Sequence, residues 1–158
     1  MKVLVFSLLI IFSQILSAED SKSYNRSAEI GVLSDNINDG SFATIGVTKQ
    51  YMFNDFTIGM NMMVLMGVGD FEKIGGLTVA PKLGMIFYGS DKSDLFFSMF
   101  VLGGYSNISN NDINRSGAIT GIGIEARYKM IGIDLGYVSI LNPVLANEQI
   151  KVALKYCF

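Results

Sequence analysis

The residues best suited to chemistry are charged side chains that fall on one side of a two-residue alternation. Successive side chains of a β-strand point to opposite faces, so this spacing places them on a single face of a sheet. The opposite face is apolar and carries almost no charge. Because buried charges need partners, we predict a paired ionic network inside the protein, and a polar path for ions is the alternative. The residues of this predicted network are Glu29, Lys82, Glu125, Arg127, Asp134, Lys151 and Lys155.

The sign of the charge alternates within this network. If the last three strands and the first strand are neighbours, the order around the wall is Arg127, Asp134, Lys155 and Glu29. A two-residue turn between the strands that carry Arg127 and Asp134 would place these two side chains diagonally across the sheet. We therefore expect Arg127 and Asp134 to be coupled.

The composition excludes several classes of function. The chain has no histidine and one cysteine among its 158 residues, and its formal net charge is −2. Ser–His and Cys–His catalysis, imidazole metal ligation and an intrachain disulfide are therefore ruled out. An acidic chain also lacks the basic surface that binds nucleic acid. We expect no catalytic, cofactor-binding or metal-binding residues.

We assign no chemical role to four further features of the sequence. The segment 121–126 matches the dinucleotide pattern G-x-G-x-x-A, but it lies inside one alternating segment and not between a strand and a helix. Most of the methionines at positions 60, 62, 63 and 66 share the apolar face, where they would contact lipid. Cys157 has no base nearby. The Asn-rich segment 107–115 is interpreted as a solvated loop, because its oxygen atoms lack the spacing of a calcium site.

The alternation recurs in eight segments of about ten residues, which is typical of the strands of a transmembrane β-barrel. These segments are 24–33, 42–51, 56–67, 77–88, 95–105, 118–128, 131–139 and 149–158. In hydrocarbon every backbone N–H and C=O group needs a partner, so no sheet edge can stay open. We predict an all-β fold, an eight-stranded antiparallel up-and-down transmembrane barrel. Pro81 lacks an N–H group and predicts a bulge in the fourth strand.

The connections alternate between short turns and longer loops, the latter predicted at 34–41, 68–76, 106–117 and 140–148. This alternation is typical of periplasmic turns and extracellular loops. Aromatic residues near the short-turn end predict an interfacial girdle formed by Tyr51, Phe56, Phe87, Phe97, Tyr128, Tyr156 and Phe158. The parity also points five large side chains into the narrow interior, where they would obstruct it: Phe42, Ile86, Tyr88, Phe96 and Phe100.

The first 18 residues have the pattern of a secretory signal peptide. Lys2 precedes an apolar stretch that extends to Leu16 and ends in the small residues Ser17 and Ala18. This stretch is shorter than the roughly 20 apolar residues that a membrane-spanning helix needs. We expect cleavage after Ala18, which leaves residues 19–158 as the barrel domain.

The chain ends in Val152-Ala153-Leu154-Lys155-Tyr156-Cys157-Phe158, an alternating segment that stops on an aromatic residue. This ending resembles the last-strand signal that bacterial outer-membrane barrels present to their assembly machinery. Residues 24–158 as a whole resemble the small eight-stranded barrels of the OmpA/OmpX type. The resemblance implies a monomer in the bacterial outer membrane, with outer-membrane lipid and the barrel-assembly machinery as partners and with Tyr156 and Phe158 as the assembly signal.

The resemblance also bears on function. It implies a non-enzymatic role in adhesion or in the structure of the envelope, with the loops as the contact surface. A narrow channel for a small solute or ion is the alternative. A barrel enzyme is a third possibility, but the enzymes of this class rely on histidine, which the chain lacks.

Overall fold

A computed structural model describes residues 24–35, 40–53, 55–89, 93–110, 113–143 and 145–158. The strands are β1 (Tyr24–Asp35), β2 (Ser41–Phe53), β3 (Phe56–Val68), β4 (Ile74–Tyr88), β5 (Leu95–Asn110), β6 (Ile113–Tyr128), β7 (Ile131–Asn142) and β8 (Leu145–Cys157), with a 3-10 helix at Gly69–Phe71 between β3 and β4. No described helical segment is long and apolar enough to cross a membrane. The predicted signal peptide, residues 1–18, lies outside the described residues.

Each strand pairs antiparallel with the next, and β8 pairs with β1, so the sheet closes into a barrel. The predicted eight-stranded antiparallel up-and-down fold is confirmed. Closure gives the backbone N–H and C=O groups of every strand a partner. A wall with an apolar outer face needs such pairing in a membrane, where water is not available as a partner. The barrel has a turn end, where β2–β3, β4–β5 and β6–β7 are joined and where β1 begins and β8 finishes. The opposite end is the loop end.

The strands are strongly tilted relative to the barrel axis. A row of directly paired residues starts at Tyr24 on β1, passes once around the wall and returns to β1 at Ser34, which is ten residues further along the same strand. The row passes through Tyr51, Ile58, Leu83, Val101, Ile122, Tyr137 and Ile150. Such a stagger requires tilted strands. A path across the strands from β1 towards β8 therefore climbs from the turn end to the loop end.

Two of the predicted loops are mostly strand. The pairing of β5 with β6 continues to Asn110 and Ile113, and that of β7 with β8 continues to Asn142 and Leu145. The segment 106–117 is mostly polar, so it lacks the apolar alternation from which the other strands are predicted. Each of these two hairpins is closed by two residues, so the expected contrast between short turns and long loops is wrong for this half of the barrel.

The predicted bulge at Pro81 is also wrong. Pro81 pairs with Met60 in an unbroken β3–β4 register, and the β4–β5 register is the same on either side of it. The irregularity lies between Ile86 and Tyr88 instead. It turns Tyr88 outward, 58% exposed and edge-to-face against Phe97, whereas the parity predicts an inward side chain. The other four residues predicted to point inward are buried: Phe42, Ile86, Phe96 and Phe100.

Candidate functional site

The interior of the barrel contains a cluster of buried ions around Glu125. Glu125 on β6 lies directly opposite Asp134 on β7, so two carboxylates stand side by side. Two lysines bridge them. Lys82 Nζ lies 2.8 Å from Glu125 Oε2 and 3.3 Å from Asp134 Oδ2, and Lys155 Nζ lies 2.9 Å from Glu125 Oε2 and 3.4 Å from Asp134 Oδ1. Each lysine thus offsets the repulsion between the two acids.

A third lysine connects this cluster to β1. Lys151 Nζ lies 2.8 Å from Glu29 Oε1 and 3.7 Å from Asp134 Oδ2. Asn61 donates from Nδ2 to Glu29 Oε1 at 3.2 Å and to Thr48 Oγ1 at 2.8 Å. These bonds extend the polar cluster across the interior from β8 and β1 to β3. They pair Oε1 of a carboxylate that would otherwise be costly to bury, whereas Oε2 of Glu29 has no hydrogen-bond partner among the described residues.

The charges of this network balance. It contains three carboxylates and three lysines, all of them almost fully buried: Glu29, Lys82, Glu125, Asp134, Lys151 and Lys155. Lys82 also lies over the ring of Phe100, with Nζ 3.9 Å from the ring centroid. Every carboxylate in the network is held by at least one lysine. The arrangement is suited to holding the wall together and leaves no carboxylate of the set as an unengaged base.

Arg127 is placed apart from this network. It lies opposite Gly132 and therefore diagonal to Asp134, as the turn geometry predicts, but it forms no ion pair with a carboxylate of the described residues. Its guanidinium carbon lies 4.7 Å from the ring centroid of Phe96, the residue directly opposite on β5. The expected pairing of Arg127 with Asp134 is wrong, because the three lysines already surround that carboxylate.

Apolar side chains lie on both sides of the ionic network. A loop-end cluster includes Phe71 of the 3-10 helix, whose ring stacks on that of Phe42 at a centroid distance of 5.1 Å. A smaller turn-end cluster consists of Met52, Ile86 and Phe96. On β4, Lys82 lies between Ala80 of the first cluster and Ile86 of the second. The full loop-end cluster is Leu33, Phe42, Met63, Leu65, Phe71, Ala80, Phe100, Leu102, Ile108, Ile119, Val138 and Ile140.

The other features considered as candidate sites lie within the strands of the barrel. The segment 121–126 lies inside β6, and the segment 107–115 belongs largely to the β5–β6 hairpin. Met63 joins the loop-end cluster, whereas Met60 and Met66 are exposed on the outward face. Cys157 points inward and is buried. Within the described ranges, no three His, Cys, Asp or Glu side chains converge in a way that could hold a metal ion.

The carboxy-terminal aromatic residues lie on the outward face at the turn end. Tyr156 and Phe158 are about half exposed, and their rings stack at a centroid distance of 6.2 Å. The backbone N–H of Phe158 donates to the carbonyl oxygen of Arg26 at 2.9 Å, so the last residue pairs with β1. Other members of the predicted girdle are also exposed at this end: Tyr51, Phe56, Phe87 and Tyr128.

Solved structures with the same architecture are outer-membrane proteins. Neisserial surface protein A (NspA) is 11% identical with a TM-score of 0.62, over 87% of this chain and 98% of that one. The N-terminal β-barrel domain of Pseudomonas aeruginosa OprF is 11% identical with a TM-score of 0.56, over 89% and 100%. The outer membrane enzyme PagL is 16% identical with a TM-score of 0.61, over 84% and 98%. The fold is that of the small eight-stranded outer-membrane barrels.

At these identities the likeness is one of fold. No family model matches the sequence, and no curated protein matches it. Because one fold supports many activities, the function of this barrel has to be argued from its own interior and surfaces.

Proposed function

We propose that the protein is a non-enzymatic integral protein of the bacterial outer membrane, with a structural role in the envelope or at its surface. The observation that carries this proposal is the filled interior, in which a charge-balanced ionic network lies between two apolar clusters. A barrel filled in this way offers no wide path to a solute and no reactive group to a substrate.

The absence of enzymatic activity is part of this proposal. PagL is an enzyme on the same fold, so the architecture alone does not exclude catalysis. The present chain has no histidine, and the carboxylates of its interior network are each paired with lysine. A general base needs a proton-accepting atom within reach of a substrate, and these buried ion pairs do not provide one.

The size of the loop end favours a structural role over an adhesive one. The hairpins β5–β6 and β7–β8 each close with two residues, and the longer connections before β2 and β4 each have five. Large adhesive surfaces bury many residues on each partner. Connections of this length leave the barrel wall as the dominant feature of the molecule.

Location and assembly are inferred from the two ends of the chain. We propose that residues 1–18 direct export and are removed after Ala18. We further propose that Tyr156 and Phe158 act as the signal to the barrel-assembly machinery, and that the mature protein is a monomer surrounded by outer-membrane lipid. The exposed aromatic residues at the turn end support this location, because such residues favour the membrane–water interface.

A narrow channel is the second candidate, and one observation favours it. Thr44, Thr78 and Gln149 are fully buried, and a side-chain oxygen of each has no hydrogen-bond partner in the described part of the chain. Buried polar atoms of this kind commonly bind internal water. A chain of such waters beside the ionic network would be needed for conduction.

The two candidates are separated by fractionation and conductance. The full-length chain is expressed in a Gram-negative host, and outer membranes are isolated by density and washed with urea. The purified barrel is then reconstituted in planar bilayers beside a wide porin as the positive control. We expect membrane recovery, a gel band that shifts on boiling, and no discrete conductance steps. A urea-soluble protein would refute the membrane location, and reproducible single-channel steps would replace the structural proposal with the channel.

A further inference from the structure

Arg127 is a buried cation that the ionic network leaves without a counterion. The residue is 7% exposed, it forms no ion pair among the described residues, and its Nε atom has no hydrogen-bond partner there. Its guanidinium lies over the ring of Phe96, and a ring face attracts a cation without accepting the hydrogen bonds of its edge. Because an unpaired buried charge is costly, an anion beside Arg127 would stabilise the barrel.

The charge balance of the interior favours the same conclusion. The network contains as many lysines as carboxylates, so the positive charge of Arg127 lies outside that balance. Glu125 precedes Arg127 on the same face of β6, but its Oε2 atom lies 2.8 Å from Lys82 Nζ and 2.9 Å from Lys155 Nζ. Glu125 is also on the loop-end side of Arg127. An anion that approaches from the turn end therefore meets the arginine before it meets an acid of the network.

Small residues leave room for an anion in one half of the turn end. The turn-end cluster lies on β2, β4 and β5 and occupies the other half. On β7, β8 and β1 the inward residues near this end are Gly132, Cys157 and Ser27, all of them buried. Arg127 on β6 stands between the two halves. The space beside it is thus bounded by large apolar side chains on one side and by small residues on the other.

Gly132 lies next to Arg127 in this space. It is the direct cross-strand partner of Arg127 on one side and of Lys155 on the other. A Cβ atom at Gly132 would lie 3.7 Å from Cβ of Arg127 and 3.6 Å from Cβ of Lys155, so the two basic residues flank a position that carries no side chain. A gap between two cations favours a small anion.

We propose that Arg127 binds a small oxyanion in the space above Gly132, at the turn end of the interior. This site adds a ligand to the structural role proposed above. The unpartnered Nε atom belongs to the edge of the guanidinium at which two parallel N–H groups match two oxygen atoms of a carboxylate or a phosphate. Chloride is a single atom and lacks this match. The ligand is therefore a small acid with two oxygen atoms on one side, and not any anion.

The preference for an oxyanion is tested by titration against chloride. The barrel is folded in a nonionic detergent in Tris chloride, and phosphate or acetate is added in separate titrations at constant ionic strength, with isothermal titration calorimetry to record the heat of binding. Arg127→Gln removes the guanidinium and a charge-assisted hydrogen bond, so it should weaken binding about tenfold or more. Arg115→Gln removes an exposed arginine near the loop end and should leave the affinity unchanged.

The position of the anion is tested with two glycines of one strand. Gly132→Ala places a methyl group between Arg127 and Lys155, whereas Gly136→Ala places one on the inward face of β7 further from the turn. The crowding is similar, since the nearest atom to the added Cβ is a backbone carbonyl oxygen at 3.2 Å for Gly132 and at 3.0 Å for Gly136. We expect Gly132→Ala to weaken oxyanion binding about fivefold or more and Gly136→Ala to leave it unchanged.

Folding is verified before each titration by the gel shift on boiling. Arg127→Lys replaces Arg127→Gln if the latter does not fold. Its expected loss is about threefold, because lysine keeps the charge but cannot bind two oxygen atoms side by side. If the chain folds without detergent, the membrane location fails, and the same titrations in water still decide the site.

Two results would overturn the proposal. No heat from either oxyanion with the wild-type chain, or equal affinity in the Arg127→Gln variant, would show that Arg127 binds no oxyanion. Water would then satisfy its Nε atom and Oε1 of Glu125, which also has no partner in the described part of the interior. Equal losses in the two glycine variants would refute the position beside Gly132.

Discussion

At the scale of single residues, the interior depends on how far each charged side chain reaches. The sequence alternation predicts which charged residues face inward, because the period of two is a property of any strand. It does not predict which of them pair, because parity determines the face and not the height along the barrel. Lysine side chains are long enough to reach diagonal partners, so Lys82 of β4 contacts acids on β6 and β7. Arg127 instead finds an aromatic ring directly opposite.

Replacing Asp134 with asparagine should destabilise the barrel substantially. The change leaves the lysines around Asp134 without one of their carboxylates, and the loss of one partner from a buried ion pair typically costs about 3–5 kcal/mol. Urea unfolding of the barrel in detergent measures this change in the free energy of unfolding. It is followed by circular dichroism or by tyrosine fluorescence, which no tryptophan obscures because the chain has none. Asp134→Ala should behave in the same direction.

A double-mutant cycle assigns this effect to particular partners. Asp134→Asn combined with Lys82→Gln should show a coupling energy of about 0.5–3 kcal/mol, because the two residues share one network. Asp134→Asn combined with Arg127→Gln should be additive, because Arg127 stacks on Phe96 and does not contact the carboxylate. Strong coupling to Arg127 and none to Lys82 would contradict the described geometry.

At the scale of elements, the strands follow from the sequence and the 3-10 helix does not. Alternation and the demand for paired backbone groups are sufficient to predict eight strands and their closure. The 3-10 helix depends on Phe71, a single aromatic residue within a polar connection, which packs into the mouth of the barrel against Phe42. A lone aromatic residue between Asp70 and Glu72 has no periodic pattern, so only the tertiary contact reveals its role.

The position of this 3-10 helix against the barrel requires a glycine at residue 67. A Cβ atom on Gly67 would collide with the backbone carbonyl of Phe71, whereas one on Gly75 would lie 3.5 Å from the carbonyl oxygen of Leu65, an ordinary contact. Gly67→Ala should therefore displace Phe71 and lower the urea midpoint. Gly75→Ala should change the free energy of unfolding by no more than about 0.5 kcal/mol, as a typical surface substitution does.

Phe71→Ala identifies the mechanism of that loss. Removing a buried phenylalanine typically costs about 3–5 kcal/mol, and a site at the mouth should fall at the lower end of this range. If Gly67 acts through Phe71, the losses from Gly67→Ala and Phe71→Ala should be less than additive in the double variant. Full additivity would show that Gly67 stabilises the barrel by another route.

At the scale of the whole molecule, closure separates final stability from assembly. Once β8 pairs with β1, the last residue contributes one backbone hydrogen bond to Arg26 and an exposed aromatic ring stacked on Tyr156. A typical hydrogen bond contributes only about 0.5–1.5 kcal/mol net. Phe158 therefore contributes little to the stability of the closed barrel. We propose that it contributes much more to delivery of the barrel to the outer membrane.

Deleting Phe158 should accordingly reduce outer-membrane recovery in cells by far more than it reduces refolding in detergent. Recovery is measured by quantifying the heat-shifted band in outer membranes, and refolding by the same band after dilution from urea. Phe158→Tyr, which keeps a terminal aromatic residue, should be recovered normally. Phe87→Ala, which removes an exposed girdle residue far from the terminus, should also be recovered normally if position at the chain end is what matters. Parallel losses in cells and in detergent for the deletion would instead mean that Phe158 acts through stability, and normal recovery would mean that it has no role in delivery.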